Sequence, residues 1–465
     1  MSRSGILDSD TIAAISTPPG AGGIGIIRMS GNSSLVVLKQ LFSPTDTGCT
    51  FSSHRFYHGH IVDPEGGKIL DEVLAVYMQS PKSYTREDVV EIHCHGSFLV
   101  LQSILELLLH CDVRLADAGE FTKRAFLNGR IDLTRAEAVI DILAARTRKG
   151  VDLALDQLGG SLFRRVDRIR QVLVEMRALI EVAIDFPDED IEIVNHQELS
   201  SRLNLEVREP LQELIDSAEQ GKIIRDGISV VIVGLPNVGK SSLLNTILQE
   251  ERALVTAIPG TTRDTIEEYV DIHGIPVRMV DTAGIRDGAE EVEEMGIRRA
   301  RNQIDQADLV LFMVDRSQPL AKDDLDLFET IRHKQVVLVA NKCDLADGAG
   351  QQLEELSEKC LGTVRISAKA QQGIEDLRQT IYNLVTGGKD QFEEAACAPN
   401  IRHKQSLIRA LAAGDLLFDG LSQSLTSDLL AVDLQECVDQ LDEIVGVTTT
   451  EDVLDVIFEQ FCLGK

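Results

Sequence analysis

Apolar residues recur at alternating steps of four and three in two separate parts of the chain. The first stripe consists of Leu162, Val166, Ile169, Leu173, Met176 and Ile180. The second consists of Leu430, Leu434, Cys437, Leu441 and Ile444. This spacing gives one apolar face to each of two helices, as is typical of a helical bundle. We interpret both stripes as core rather than as ligand surface.

The first 120 residues instead mix short apolar runs with Gly and Pro. Strands are predicted at Ile24–Arg28, Val73–Tyr77 and Val89–His93, and a helix at Phe98–Leu109. This mixture indicates an α+β domain.

Helical character begins at about residue 121. Thr134-Arg-Ala-Glu137 fits a capping box that opens a helix. Phe186-Pro187 and the acidic run Asp188–Asp190 break the pattern. Residues 224–388 then alternate strands and helices, so an α/β unit separates two helical segments.

The simplest organisation is one helical domain with the α/β domain inserted into it, since insertion at a loop tip is well tolerated. We expect four segments: 1–120, an N-terminal domain; 121–223, the first helical part; 224–388, the α/β domain; and 389–465, the second helical part. The predicted fold class is therefore multidomain, with α+β, α-helical and inserted α/β domains.

A phosphate-binding loop opens the α/β domain. The apolar strand Val230–Val233 runs into Gly234-Leu-Pro-Asn-Val-Gly-Lys-Ser241, and an apolar helix is predicted from Ser242. Backbone N–H groups and the helix N-terminus favour phosphate here. Lys240 is expected to reach the β- and γ-phosphates, and Ser241 to ligate Mg²⁺. The nucleotide contacts predicted in this loop are Asn237, Val238, Gly239, Lys240, Ser241 and Ser242.

Three later segments identify the base as guanine and complete the site. The first predicted strand end carries Asp281, Thr282, Ala283 and Gly284, with the acid near the metal. The second carries Asn341, Lys342, Cys343 and Asp344. The third carries Ser367, Ala368 and Lys369, after a strand at Thr363–Ile366. A buried Asp344 carboxylate would accept hydrogen bonds from N1 and the 2-amino group of guanine, a donor pair that adenine lacks.

A switch segment is expected at Gly260–Asp264, between the phosphate loop and Asp281. Thr262 is the candidate for a second hydroxyl on Mg²⁺ in the GTP state, or alternatively a helix N-cap. Ile285 follows the Asp-Thr-Ala-Gly motif where some GTPases have a water-orienting glutamine. The acidic run Glu290–Glu294 offers carboxylates for that role, or is a solvated helix start.

Length, composition and charge indicate the number of domains, the expected compartment and how nucleic acid could bind. The 465 residues imply two to four domains, and 43% hydrophobic with 26% charged residues is ordinary for a globular protein. The eight cysteines are scattered without paired spacing, which favours reduced thiols. Together with the absence of an apolar leader or long apolar span, this leads us to expect a cytoplasmic protein without membrane association. A net charge of −29 requires that any nucleic acid meet a local basic patch or a partner.

The whole chain resembles the MnmE (TrmE) family of tRNA-modifying GTPases. Besides the GTPase motifs, the resemblance is carried by four stretches: Thr17–Gly25, Gly119–Asn128, Ala183–Asp188 and Phe461–Lys465. It implies a homodimer with an N-terminal folate-binding and dimerisation domain. It also implies modification of C5 of the tRNA wobble uridine with an FAD-dependent MnmG-like partner, in a heterotetramer or larger complex, using ammonium or glycine as donor.

The resemblance also supplies a catalytic arrangement. K⁺ takes the place of an arginine finger when two GTPase domains meet, held by Asn237, Thr256, Ile258 and Thr261. The loop that contains these ligands contributes nucleotide contacts at Thr256, Ala257, Ile258, Pro259, Gly260, Thr261 and Thr262. The water-orienting glutamate of the family falls on Glu293.

Folate, as 5-formyl- or methylene-tetrahydrofolate, is expected at Arg28, Glu91, Arg130 and Lys465 by the same resemblance. Arg130 replaces a lysine of the family pattern, which keeps charge but alters geometry, and Leu463 replaces an isoleucine. Cys462 is either a participant in one-carbon transfer or a packed or accessible thiol.

Two readings stay open. In one, GTP hydrolysis drives folate-dependent tRNA modification; in the other, the chain is a regulatory switch of the ribosome-assembly type. His93 and His95 share a strand face, but because no fourth ligand is evident we prefer a structural role to a metal site.

Overall fold

The computed structural model describes residues 10–48, 50–185, 195–250, 268–281, 302–388, 397–461 and 464, with the backbone alone at 249, 250, 268 and 281. Phe186 and Pro187, proposed to break the helical pattern, lie outside these ranges. The helix before them ends at Asp185.

The N-terminal part forms a seven-stranded sheet with helices on one face. Its elements are β1 Ile12–Ile15, β2 Gly22–Ser30, α1 Ser34–Leu41, β3 Phe42–Pro44, β4 Arg55–Val62, β5 Ile69–Met78, β6 Val89–Gly96, α2 Phe98–Leu109 and β7 Arg114–Leu115. The strand order is β3-β4-β5-β6-β2-β1-β7. Strand residues that alternate along β2 and β6, such as Ile27, Met29, Val90 and Ile92, bury one face against α1 and α2. The predicted α+β character is confirmed.

The helical domain is built from both sides of the insertion. Before it come α3 Glu120–Leu127, α4 Leu133–Ala144, α5 Arg148–Leu158, α6 Ser161–Asp185, α7 His196–Leu203, a π-helical turn Asn204–Arg208, and α8 Glu209–Asp226. After it come α13 Ile401–Ser422, α14 Ser427–Val445 and α15 Glu451–Phe458. Both apolar stripes are buried, one on α6 and one on α14, in a single core cluster. The predicted interrupted helical domain is therefore confirmed.

The capping-box prediction at Thr134 is wrong. Asp132 is the N-cap of α4, and its carboxylate accepts a hydrogen bond from Arg135 N at 3.1 Å. Glu137 instead turns into the core, where its carboxylate lies 2.8 Å from Arg402 Nη2 and 2.6 Å from His403 Nε2. A bidentate pair with the partly buried Arg402 outcompetes a cap for this carboxylate.

Among the described residues, the inserted domain contains a six-stranded sheet. Its elements are β8 Ile228–Val233, α9 Lys240–Glu250, β9 Glu268–Ile272, β10 Ile275–Asp281, β11 Leu309–Asp315, α10 Lys322–Ile331, β12 Val336–Asn341, α11 Gly350–Ser357, β13 Gly362–Arg365 and α12 Ile374–Thr386. The strand order is β13-β12-β11-β8-β10-β9. All neighbours are parallel except β9 and β10. The carboxyl ends of parallel strands meet at one edge, where ligands bind in such sheets.

Candidate nucleotide site

The phosphate loop occupies residues 234–239, between β8 and α9. Gly239 has φ +104°, and a Cβ there would lie 2.3 Å from Asn341 Nδ2. At Gly234 a Cβ would lie 2.3 Å from the Met313 carbonyl oxygen. Both positions therefore exclude a side chain, and the loop is packed against neighbouring strands. The helix α9 begins at Lys240, two residues earlier than predicted, because Lys240 and Ser241 already belong to its first turn.

Lys240 is folded over its own loop. Its Nζ donates hydrogen bonds to the carbonyl oxygens of Gly234 and Leu235, both at 2.9 Å. A cation held over a helix N-terminus suits a phosphate anion. Ser241 and Ser242 are exposed beside it, and Asn237 is exposed with φ +64° while Val238 is buried.

Asn341, at the end of β12, joins the phosphate loop to the loop that follows β13. Its Nδ2 donates to the Val238 carbonyl oxygen at 2.6 Å, and its Oδ1 accepts from Ala368 N at 3.1 Å. The side chain is 3% exposed. The Asn341 amide thus bonds a carbonyl oxygen of the phosphate loop and an N–H group of the loop after β13. Because both bonds come from one side chain, it sets the relative position of the two loops.

A hydroxyl in α9 makes a second connection to the same loop. Thr246 Oγ1 donates toward the Ala368 carbonyl oxygen at 3.0 Å. Ser367 is buried, and its backbone pairs with Gln372 in both directions. Lys369 is exposed beside these residues. The Ser367–Lys369 loop is thus tied to the phosphate loop and its helix.

The Asp344 carboxylate is exposed, so the expectation of a buried acid is wrong for this structure. Asp344 lies on the loop after β12. Cys343 N donates to the Ile366 carbonyl oxygen at 3.0 Å, which holds this loop against the end of β13. The predicted base-contacting segments around Asp344 and Ser367 are therefore neighbours.

Lys342 has a partner that the sequence did not predict. Its Nζ lies 2.6 Å from Asp315 Oδ2, and Ser317 N and Oγ donate to Asp315 Oδ1. Burial opposes ionisation of Asp315, yet the hydrogen bonds from Lys342 and Ser317 hold its pKa below its usual range. The sequence feature that could have indicated Asp315 as part of the site is its position, an acid at the carboxyl end of the apolar strand Leu309–Asp315.

Asp281 is the last residue of β10 and pairs in register with Ile232 of β8. The backbone thus brings it beside the strand that leads into the phosphate loop. Several predicted site residues lie outside the described residues: Thr256 to Thr262, Thr282, Ala283, Gly284, Glu293 and Lys465.

A second cluster gathers three of the predicted folate residues, Arg28, Glu91 and Arg130, around Tyr84. Arg28 Nη2 lies 2.8 Å from Glu91 Oε1, and the Arg28 and Arg130 guanidinium carbons lie 5.5 and 4.6 Å from the centroid of the Tyr84 ring. The carbonyl oxygen of Gly464 accepts from Ser16 Oγ at 3.0 Å and lies 3.5 Å from Arg28 Nη1. The chain end therefore approaches the same cluster.

His93 and His95 lie on the same face of β6, where the His93 side chain is 20% exposed and the His95 side chain 69% exposed. His95 Nδ1 is 2.7 Å from Asp71 Oδ1, a hydrogen bond that raises the pKa of His95. The His93 ring makes an edge contact with Phe56 at 5.2 Å. Within the described ranges, no three His, Cys, Asp or Glu side chains are arranged to hold a metal ion. Nor is any helix there long and apolar enough to cross a bilayer.

A mostly parallel sheet with a glycine-bounded phosphate loop, and an Asn-Lys-x-Asp loop fastened to it through Asn341, defines the P-loop GTPases. The chain is a GTP hydrolase of that class.

Comparison with known proteins gives the family. A model of the MnmE helical domain matches residues 133–462, and one of the GTP-binding protein TrmE N-terminus matches residues 11–130. The tRNA modification GTPase MnmE of Desulfotalea psychrophila is 57% identical over 98% of this chain and 99% of its own length. That of Clostridioides difficile is 47% identical over 98% and 99%. The chain belongs to the MnmE family.

Among solved structures, the chain resembles a variant of Aquifex aeolicus Era bound to GDP and AlF₄⁻. The match has 27% identity and a TM-score of 0.29, and covers 41% of this chain and 67% of that one.

Proposed function

We propose that this chain hydrolyses GTP to drive modification of C5 of the tRNA wobble uridine. It acts as a homodimer with an FAD-dependent MnmG-like partner, in a heterotetramer or larger complex, and uses a folate one-carbon unit. Membership of the MnmE family supports this. The single structural observation that carries it is the Asn341 bridge, since that bridge joins the phosphate loop to a base-binding loop. The domain boundaries expected above and a cytoplasmic setting belong to the same proposal.

The nucleotide roles follow from chemistry and position. Lys240 binds the β- and γ-phosphates, Ser241 and Thr262 supply hydroxyls to Mg²⁺, and Asp344 accepts from guanine. The exposed hydroxyl of Ser241 at the start of α9 fits a hard cation. Glu293 orients the attacking water. Mg²⁺, when bound, neutralises charge on the phosphates.

K⁺ is proposed at Asn237, Thr256, Ile258 and Thr261. Asn237 supports this because its backbone is left-handed and its side chain is exposed at the loop surface, where an amide oxygen can face an ion. GTP hydrolysis is then faster in K⁺ than in Na⁺ by roughly a hundredfold, the scale of one preorganised charge. The variant Glu293→Ala tests the water-orienting role separately: it abolishes GTP hydrolysis and leaves GTP affinity unchanged. Equal rates in K⁺ and Na⁺ would exclude the catalytic ion.

The folate site is proposed at the Arg28 cluster, together with Lys465. Two guanidinium groups flanking Tyr84, with one carboxylate beside them, match the glutamate tail and the pterin of a folate. The test is calorimetric titration of the full chain with 5-formyl-tetrahydrofolate. Arg28→Ala and Arg130→Ala abolish binding, whereas Arg55→Ala, which removes a guanidinium stacked on the Tyr57 ring elsewhere in the domain, does not.

Failure of the wild-type chain to bind the folate would favour the regulatory switch over the modification enzyme. GTP hydrolysis measured on the same preparation shows whether the GTPase itself is intact.

A further inference from the structure

The corner between α4 and α5 contacts the turn of the β9–β10 hairpin in the GTPase domain. Thr147 Oγ1 donates to the Gly274 carbonyl oxygen at 2.9 Å, across 127 positions of sequence. The Arg146 guanidinium carbon lies 3.6 Å from the centroid of the Tyr269 ring. A Cβ at Gly274, which has φ +89°, would lie 2.8 Å from Lys149 Cδ. Three residues of the corner, Arg146, Thr147 and Lys149, thus lie against one hairpin.

The same turn is held from two further sides. On the GTPase side, His273 Nε2 lies 3.3 Å from Glu375 Oε1, and its ring makes an edge contact with Tyr382. Where the chain enters the GTPase domain, Gly227 has φ +76°, and a Cβ there would lie 1.9 Å from the Pro276 carbonyl oxygen. The hairpin turn therefore lies between the helical domain and α12, and neither Gly274 nor Gly227 has space for a Cβ at its contact.

This hairpin links two segments that bear on the nucleotide. Strand β9 begins at Glu268, six residues after Thr262, and β10 ends at Asp281, the acid expected near the metal. Five residue pairs in antiparallel register join the strands into one unit. A shift at either nucleotide-side end is carried to the turn, because paired strands move together more readily than they stretch.

We propose that Arg146 and Thr147 are positioning residues, through which the helical domain sets the position of the β9–β10 hairpin and responds to the bound nucleotide. The proposal rests on the GTPase assignment and is independent of the folate and K⁺ proposals. Nucleotide binding and the corner are then coupled in both directions.

Thr147 allows this role to be separated from simple helix stability. Its hydroxyl oxygen also accepts from Gly150 N at 3.1 Å and so caps α5. Thr147→Ser keeps the cap and the donor. Thr147→Asp keeps a good N-cap acceptor but cannot donate to Gly274. Arg146→Ala removes an exposed side chain from Tyr269 without touching the cap.

The experiment is amide hydrogen exchange on the full chain with GDP or a non-hydrolysable GTP analogue, after direct titration has shown that both bind. In the wild type, the amide exchange rates of residues 145–152 differ by about fivefold or more between the GDP-bound and analogue-bound protein, which is the lower range of allosteric coupling. Thr147→Ser preserves this difference. Thr147→Asp and Arg146→Ala reduce it below about twofold, while the difference within 275–281 persists.

The control is Arg55→Ala, which removes an arginine–tyrosine contact in the N-terminal domain and leaves the difference unchanged. The proposal is overturned if exchange at 145–152 does not respond to nucleotide in the wild type. It is equally overturned if Thr147→Asp retains the wild-type response. If the titration shows that neither GDP nor the GTP analogue binds, the GTPase assignment itself is wrong.

Discussion

Removing the side chain of Asn341 is expected to separate the phosphate loop from the loop after β13. Asn341→Ala deletes the donor to the Val238 carbonyl oxygen and the acceptor for Ala368 N. Each buried group left without a partner costs about 1–3 kcal/mol. If the two loops separate in the free variant, GDP must restore their arrangement on binding, so the sum of about 2–6 kcal/mol is charged to binding. At about 1.4 kcal/mol per tenfold, this predicts a loss of GDP affinity of roughly 30-fold or more.

The assay is equilibrium titration with a fluorescent GDP analogue, alongside thermal unfolding to show that the domain remains folded. Asn383→Ala is the matched control, because Asn383 is exposed on α12 and its Oδ1 accepts a hydrogen bond from Gln379 Nε2 of the same helix. That control changes affinity by less than about twofold. A folded Asn341→Ala protein that binds GDP like the wild type would refute the bridging role.

Two further predictions concern carboxylates of α4. Burial opposes ionisation of Glu137, but the charges of His403 and Arg402 hold its pKa below its usual range. Glu137→Gln therefore costs about 3 kcal/mol in thermal or urea unfolding at pH 7, against less than about 1 kcal/mol for Glu175→Gln in an exposed pair with Arg202. The loss of unfolding free energy caused by Glu137→Gln shrinks as pH falls below the pKa of Glu137 in the unfolded chain, because the lowered pKa stabilises the fold only while Glu137 is ionised. A loss that does not change with pH would contradict this.

Burial also raises the pKa of Asp141 to about 6, against the opposing charge of Arg225. The ionised form is then unfavourable in the fold, so Asp141→Asn stabilises by about 1–3 kcal/mol at pH 8 and by nothing near pH 4. Equal effects of Asp141→Asn at both pH values would show that ionisation of this group is not involved.

Motif residues that are adjacent in sequence were predictable because their function needs local geometry. Lys240 follows a glycine loop and ends up at a helix start, as strand–loop–helix spacing requires. The apolar stripes on α6 and α14 were predictable for the same reason, because apolar residues that repeat about every 3.6 positions mark the buried face of a helix.

Contacts between distant positions were not predictable. Glu137 and His403 are 266 positions apart, and nothing in the neighbourhood of either distinguishes a core ion pair from a capping residue. The pairing of Asp315 with Lys342 and the contact of Thr147 with Gly274 likewise depend on how strands and domains are placed. The exposure of Asp344 was not predictable either, because the sequence places it after a strand but does not show how the following loop packs.

The most direct test is a comparison of GDP and ADP binding to the full chain, with Asp344→Asn measured against xanthosine diphosphate. A site that recognises the base through the Asp344 carboxylate binds GDP at least about 10³-fold more tightly than ADP, because adenine leaves that acceptor unpaired. In Asp344→Asn, xanthosine diphosphate becomes the preferred ligand, since an amide donates where xanthine carries a carbonyl oxygen. Equal affinity for GDP and ADP in the wild type would contradict the account.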